Sequence, residues 1–266
     1  ICGSFCLGHS NARLQMTTQR KNRIAKTMLW LLFPEWFLQK VQIEAMNLVH
    51  MAAGKSWTDA TGKTVHGMKP AIRMNGSSDI KWEDYGLIQG APSVSWYDYT
   101  KLPLKNRGKD GQIPANYSLT FSLDENPSSL SCAKEYFKAS HNVAMVVGAE
   151  WSGTQGQAKI AQQLLLNRGD GMLIGYRTVD GDLHDARFSE EHGSWIILHA
   201  KGVAGSDSDG FVHMVDRRGV VVRPRLSLGM ANRTGRGNQA HVLNSAAMAA
   251  FDLFGAEPSP VPQVVR

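Results

Sequence analysis

The sequence predicts an α/β fold, a partial or complete βα barrel of the TIM-like kind, with helices ahead of it and a hairpin plus a helix behind it. Three observations predict it. Strand-like apolar runs recur at 71–74, 93–96, 117–121, 143–147, 172–176 and 195–199. Their centres lie roughly 22 to 29 residues apart, about the length a strand and its crossover need to reach a parallel neighbour. Helical stretches at 129–140 and 155–167 occupy two of those intervals. Polar residues gather just past each run, as they do where parallel strands bring their carboxyl ends to one face.

The elements follow in order. Residues 10–54 read as two helices parted by Pro34, which suits the first position of the second helix. The first helix carries Arg20, Lys21, Arg23 and Lys26; the second sets Phe37, Val41, Ile43 and Leu48 among polar residues. Gly54, Gly62 and Gly67 break the helical period, so 54–67 is a polar turn or short hairpin. After the sixth run, 211–215 and 220–222 flank Asp216-Arg217-Arg218-Gly219 as an antiparallel hairpin. A helix over 240–254 comes next. The whole of 1–254 reads as a single βα-repeat domain, and 255–266, with Pro258, Pro260 and Pro262, as an extended tail.

Composition narrows the function. The 266 residues are 42% hydrophobic and 20% charged, enough for a full core and unlike a disordered chain. Three cysteines cannot build a disulfide framework, so a cytoplasmic location is expected. The longest apolar run, Met28-Leu29-Trp30-Leu31-Leu32-Phe33, stops at Pro34, far short of the roughly 20 residues that span a bilayer, and no membrane partner is expected. A net charge of +6 permits contact with a polyanion. No phosphate-binding Gly-x-x-x-x-Gly-Lys loop, Gly-x-Ser-x-Gly elbow or His-Glu-x-x-His helix occurs, which removes the usual support for nucleotide hydrolysis, serine esterase and zincin chemistry.

Several groups could carry chemistry. Cys2, Cys6 and His9 form Cys-x-x-x-Cys-x-x-His, a spacing suited to iron–sulfur or zinc, with Cys132 or a cysteine ahead of Ile1 completing the set. Since the chain opens on Ile1 rather than Met, it reads as cut inside this motif. Asp180, Asp182, His184 and Asp185 put carboxylates and an imidazole within six residues, the partners for a divalent metal or for acid–base work, although Asp-Gly-Asp is equally a turn sequence. Lys201, just past a strand, could meet an anion. Arg217, Arg218, Arg223, Arg225, Arg233 and Arg236 could grip phosphates or form a solvated basic edge. The open face is expected to hold Asp98, Asp182, His184 and Lys201 as catalytic residues. Asn75, Asp79, Tyr99 and Asn126 are expected to contact a cofactor there.

Taken together, the strings resemble a bacteriophage family, "gene product 88". They are the Cys-x-x-x-Cys opening, Ala71-Ile72-Arg73-Met74-Asn75-Gly76-Ser77-Ser78-Asp79-Ile80-Lys81-Trp82, Trp96-Tyr97-Asp98-Tyr99-Thr100-Lys101, the segments 117–126 and 180–188, and Ala200-Lys201-Gly202 followed by Asp209-Gly210-Phe211-Val212. The resemblance implies a phage-encoded protein of the host cytoplasm with a further cysteine upstream. A more distant layout resemblance, to the radical S-adenosylmethionine enzymes, implies an iron–sulfur cluster on Cys2 and Cys6 with S-adenosylmethionine as a second cofactor, although His9 stands where that superfamily has its third cysteine. The expected function is therefore an iron–sulfur metalloenzyme acting on a small molecule or nucleic acid. The alternatives are a nucleic-acid-binding scaffold with structural or zinc-bound cysteines, and a divalent-metal hydrolase using the Asp/His loop.

Overall fold

The computed structural model is α/β and describes residues 16–58, 62–76, 78–109, 111–126, 128–168, 171–201 and 211–222. The chain divides into two compact units, one of Ile1–Phe121 with Ala186–Glu190, the other of Ser122–Asp185 with Glu191–Arg266.

The first unit begins with α1 (Thr17–Leu32) and α2 (Pro34–Ala53), and Pro34 opens α2 where its missing N–H costs nothing. Trp30 holds them to a short 3-10 turn, its ring 5.8 Å from Phe37, 5.1 Å from Trp82 and 4.9 Å from Tyr85. The glycine-punctuated stretch forms the antiparallel hairpin β1 (Ser56–Thr58) and β2 (Thr64–His66). Then β3 (Ala71–Arg73), β4 (Ser95–Thr100) and β5 (Tyr117–Ser122) pair in parallel, β4 in the middle. Trp96, Asp98 and Thr100 alternate inward along β4, the period-two pattern of a strand with one face on the core.

The second unit holds α3 (Ser129–Lys138), β6 (Asn142–Ala149), α4 (Gln155–Leu166), β7 (Met172–Leu173), β8 (Tyr176–Asp180), β9 (Trp195–His199), β10 (His213–Val215) and β11 (Val221–Val222). β6 is buried along nearly its whole length, as a parallel strand covered on both faces must be, and it pairs in parallel with β9 and β10. β8 runs parallel to β9 on the other side. Gly148 permits the β6–β10 approach, since a Cβ there would sit 2.9 Å from Val212 Cγ1.

Two expectations change. Among the described residues no closed barrel is seen: β7 and β8 form a tight antiparallel hairpin with no helical crossover between them, and β6 neighbours β9 instead of the next strand in sequence. The apolar run at 172–176 is not one strand. Ile174 and Gly175 both take positive φ, 55° and 76°, and turn the chain back on itself between β7 and β8. Parallel pairing, the helices and both hairpins stand as expected, whereas 240–254 and the tail 255–266 lie outside the described residues.

Candidate acid–base site

In the second unit the carboxyl ends of β8 and β9 lie side by side, with Asp180 opposite Ile197. Gly181 brings the chain leaving β8 against β9, its N–H donating to the Ile197 carbonyl at 2.8 Å. A Cβ at that position would lie 2.7 Å from Ile196 Cγ2 and 2.8 Å from Leu198 Cδ2, so the approach requires glycine. Asp180 and Asp182 are thereby fixed on either side of the contact.

Asp182 is the hub. Its Oδ2 accepts from the His199 backbone N–H at 3.0 Å and contacts His199 Nδ1 at 2.6 Å, while its Oδ1 accepts from Lys201 Nζ at 2.5 Å. The buried Gln162 amide donates to Asp182 Oδ2 at 2.9 Å, Asp180 Oδ1 at 3.0 Å and the Ile197 carbonyl at 2.8 Å. Asp180 in turn accepts from the Asp182 backbone N–H at 2.9 Å and from Gln163 at 3.1 Å. Burial pushes the Asp182 carboxyl up, but the bonds from Lys201 and His199 outweigh it and hold the group below the usual carboxylate range.

An ionised Asp182 only accepts, so His199 Nδ1 carries a proton, and in the neutral imidazole Nε2 is the nitrogen that holds the lone pair. That lone pair faces the exposed Gln155 side-chain amide, 3.4 Å away, at the first residue of α4. An imidazole oriented by a carboxylate, with the half-exposed ammonium of Lys201 on the same carboxylate, has the parts of a general base and a charge stabiliser.

The first unit uses its polar residues differently. Asn75 and Asp98 are 2% and 1% exposed. Asp98 Oδ1 accepts from the Asn75 backbone N–H at 2.6 Å and Oδ2 from the Tyr117 hydroxyl at 2.8 Å. Burial pushes Asp98 up to about 6 against those bonds, and it raises the Tyr117 hydroxyl well above its ordinary value. Asn75 Oδ1 accepts from Trp82 Nε1 at 2.9 Å and Ser78 Oγ at 2.8 Å. The fully buried Arg107 guanidinium joins Glu83, Asp79 and Tyr117, at 3.1, 3.3 and 3.0 Å. Removing one partner of such a buried pair costs about 3–5 kcal/mol, so this is a framework whose bonding capacity is turned inward. An open cleft of about 620 Å³, lined by Lys81, Leu102, Lys105, Asn106, Gly108 and Lys109, holds neither imidazole nor carboxylate in its lining.

Of the expected catalytic residues, Asp182 and Lys201 meet, with His199 as the imidazole; His184 lies exposed on the loop after β8. Asp98, Asn75 and Asp79 belong to the buried framework of the first unit, where Tyr99 accepts from Arg187 Nε at 2.5 Å and lies under Arg73. Asn126 shapes the turn before α3, accepting from Ser128 Oγ at 3.0 Å. Cys2, Cys6 and His9 lie outside the described residues, as do Arg223, Arg225, Arg233 and Arg236. Arg217 stacks over Trp151 and Arg218 pairs with Asp216. Among the described residues no group of three or more His, Cys, Asp or Glu side chains is placed to hold a metal ion. His199 and Gln162 escaped the sequence reading. His199 closes an otherwise apolar strand two residues before Lys201, which is the one signal that could have found it; Gln162, inside an apolar helical run, gave none.

A model of the gene product 88 family matches residues 1–214. No curated protein and no solved structure matches the chain. The likeness to radical S-adenosylmethionine enzymes gains no support from these comparisons.

Proposed function

The chain belongs to the phage gene product 88 family, and we propose that its second unit is catalytic, an ester hydrolase with His199 as general base. One observation carries this reading: the Asp182 carboxylate is shared by His199 Nδ1 at 2.6 Å and Lys201 Nζ at 2.5 Å. A water at Nε2 gives its proton to His199 as its oxygen adds to the electrophilic centre of the ester. Lys201 offsets the negative charge that develops there, and the departing oxygen takes the proton back from the imidazolium. The position also supports it, because open parallel sheets carry their sites at the carboxyl ends of their strands.

A panel of chromogenic phosphate and carboxylate esters tests the proposal. His199→Ala should lower turnover about 10²–10⁴-fold, the usual worth of a positioned acid–base group. Asp182→Asn should cost a comparable amount and also abolish the slowly exchanging Nδ1 proton of His199 in nitrogen-15 NMR. Full activity in His199→Ala, or an unchanged Nδ1 signal in Asp182→Asn, would overturn the reading.

A further inference from the structure

The first helix packs loosely on its unit. None of the 16 residues of α1 is buried. It carries Arg20, Lys21, Arg23 and Lys26 and no carboxylate. Towards its carboxyl end and into α2, large apolar side chains stand open to solvent: Ile24 at 55%, Met28 at 48%, Leu31 at 67%, Leu32 at 60%, Phe33 at 57% and Trp36 at 47%. Ile24, Met28 and Leu31 follow the helical period and so share one face, with Arg20 and Lys21 a turn ahead of them. Trp30 and Leu29 point the opposite way, and Trp30 makes the aromatic contacts that tie the helix to its unit. Lys40 lies over the Trp36 ring at 5.5 Å, adding a cation beside the apolar group.

We infer that α1 and the start of α2 dock on an anionic lipid surface, lying in the interface with Ile24, Met28, Leu31, Leu32, Phe33 and Trp36 immersed and Arg20, Lys21 and Lys40 against the headgroups. Two features on the same helix point to this partner. The cations match a negatively charged surface, and the Trp, Phe and Leu side chains match the acyl boundary beneath it. At 1.5 Å per residue α1 is about 24 Å long with an apolar portion of only about two turns, too short to cross a bilayer and suited to lying on one. No described helix is long and apolar enough to cross a membrane. A second copy of the chain fits less well, because pairing α1 with itself would bring two carboxylate-free basic helices together. A nucleic acid would satisfy the cations and leave the exposed Leu31, Leu32 and Phe33 without a role.

The test is flotation of the full chain with phosphatidylcholine vesicles, with and without phosphatidylglycerol, at low and high salt. Binding to the anionic vesicles that weakens with salt is expected. Arg20→Gln, Lys21→Gln and Lys40→Gln together should weaken it roughly a hundredfold, given the contribution of each cation near such a surface. Leu31→Glu with Leu32→Glu should abolish binding while leaving the thermal midpoint where it was. The inference is overturned by any of four results: no flotation, flotation indifferent to these substitutions, a midpoint that falls with Leu31→Glu and Leu32→Glu, or dimerisation or salt-steep DNA binding lost with the same variants in place of flotation.

Discussion

Asp98 should make the protein weaker as pH rises through the range in which most acidic groups make proteins stronger. Its folded carboxyl sits at about 6 against an ordinary value of 3.8, because it is 1% exposed and the bonds from Asn75 and Tyr117 only partly offset burial. Between those values the folded chain keeps a proton that the unfolded chain has released. Raising pH through that window therefore favours unfolding, and the loss is complete above about 6. At about 1.4 kcal/mol per unit the full effect is about 3 kcal/mol, of which about 2 kcal/mol falls between pH 4.5 and 7.5. Asp98→Asn removes the titration while keeping an oxygen for the Asn75 N–H. Its amide then faces the Tyr117 hydroxyl, which already accepts from Arg107 Nη2 at 3.0 Å, and Asn75 Nδ2, which donates to Oδ2 at 3.3 Å, so both bonds to Oδ2 are lost, at about 1 kcal/mol each and at every pH. Urea unfolding of parent and variant across that range isolates the term, since every other group cancels in the difference. The parent should lose about 2 kcal/mol relative to Asp98→Asn as pH rises. A difference independent of pH would refute the reasoning.

His213 should show the opposite slope. Burial lowers it to about 4 from 6.5, so the stability it permits is present above pH 6.5 and is lost, by about 3 kcal/mol, as pH falls towards 4; His213→Leu should remove that acid loss and leave the Asp98 slope uncompensated, so that the variant's urea midpoint rises relative to the parent's as pH falls. Because the two groups act in opposite senses over overlapping windows, the parent profile should be flatter than either variant's. Gly181→Ala should cost about 1–3 kcal/mol in thermal unfolding through its clash with Ile196 and Leu198, and should lower ester turnover by displacing Asp182. The amino-terminal ligand expectation is tested by iron and zinc analysis after purification without oxygen: metal present in the parent should fall in Cys2→Ala and Cys6→Ala, and metal-free parent protein would retire it.

Elements governed by local rules were legible in the sequence. Pro34 marks the α1–α2 boundary, Asp216 to Gly219 the last hairpin turn, and the apolar run at 195–199 is β9 to the residue. What was not legible depends on the partner across the sheet. The 172–176 run has strand composition, yet Ile174 at positive φ breaks it, a conformation for which an isoleucine gives no warning. At the site, Asp182 and Lys201 were readable as polar strand ends. Choosing between His184 and His199 required the β8–β9 register, because His184 is two residues from Asp182 in sequence while His199 is its neighbour in space. The buried framework of Asn75, Glu83, Asp98, Arg107 and Tyr117 was half visible, since Arg107 and Glu83 look like surface charges until their exposure is known.

The division of the chain has a bearing on how the protein is made. The first unit takes back Ala186–Glu190 after the chain has built much of the second. Within that segment Arg187, 2% exposed, donates to Tyr99 at 2.5 Å, and Phe188 packs on Tyr97 at 5.4 Å. A nascent chain released from the ribosome as far as Phe121 thus has β3, β4 and β5 in hand, while the Tyr97 and Tyr99 flank of β4 still awaits its cover. At about 5–20 residues per second the segment emerges several seconds later, an interval in which that flank of β4 is open to chaperones or to misplaced strands.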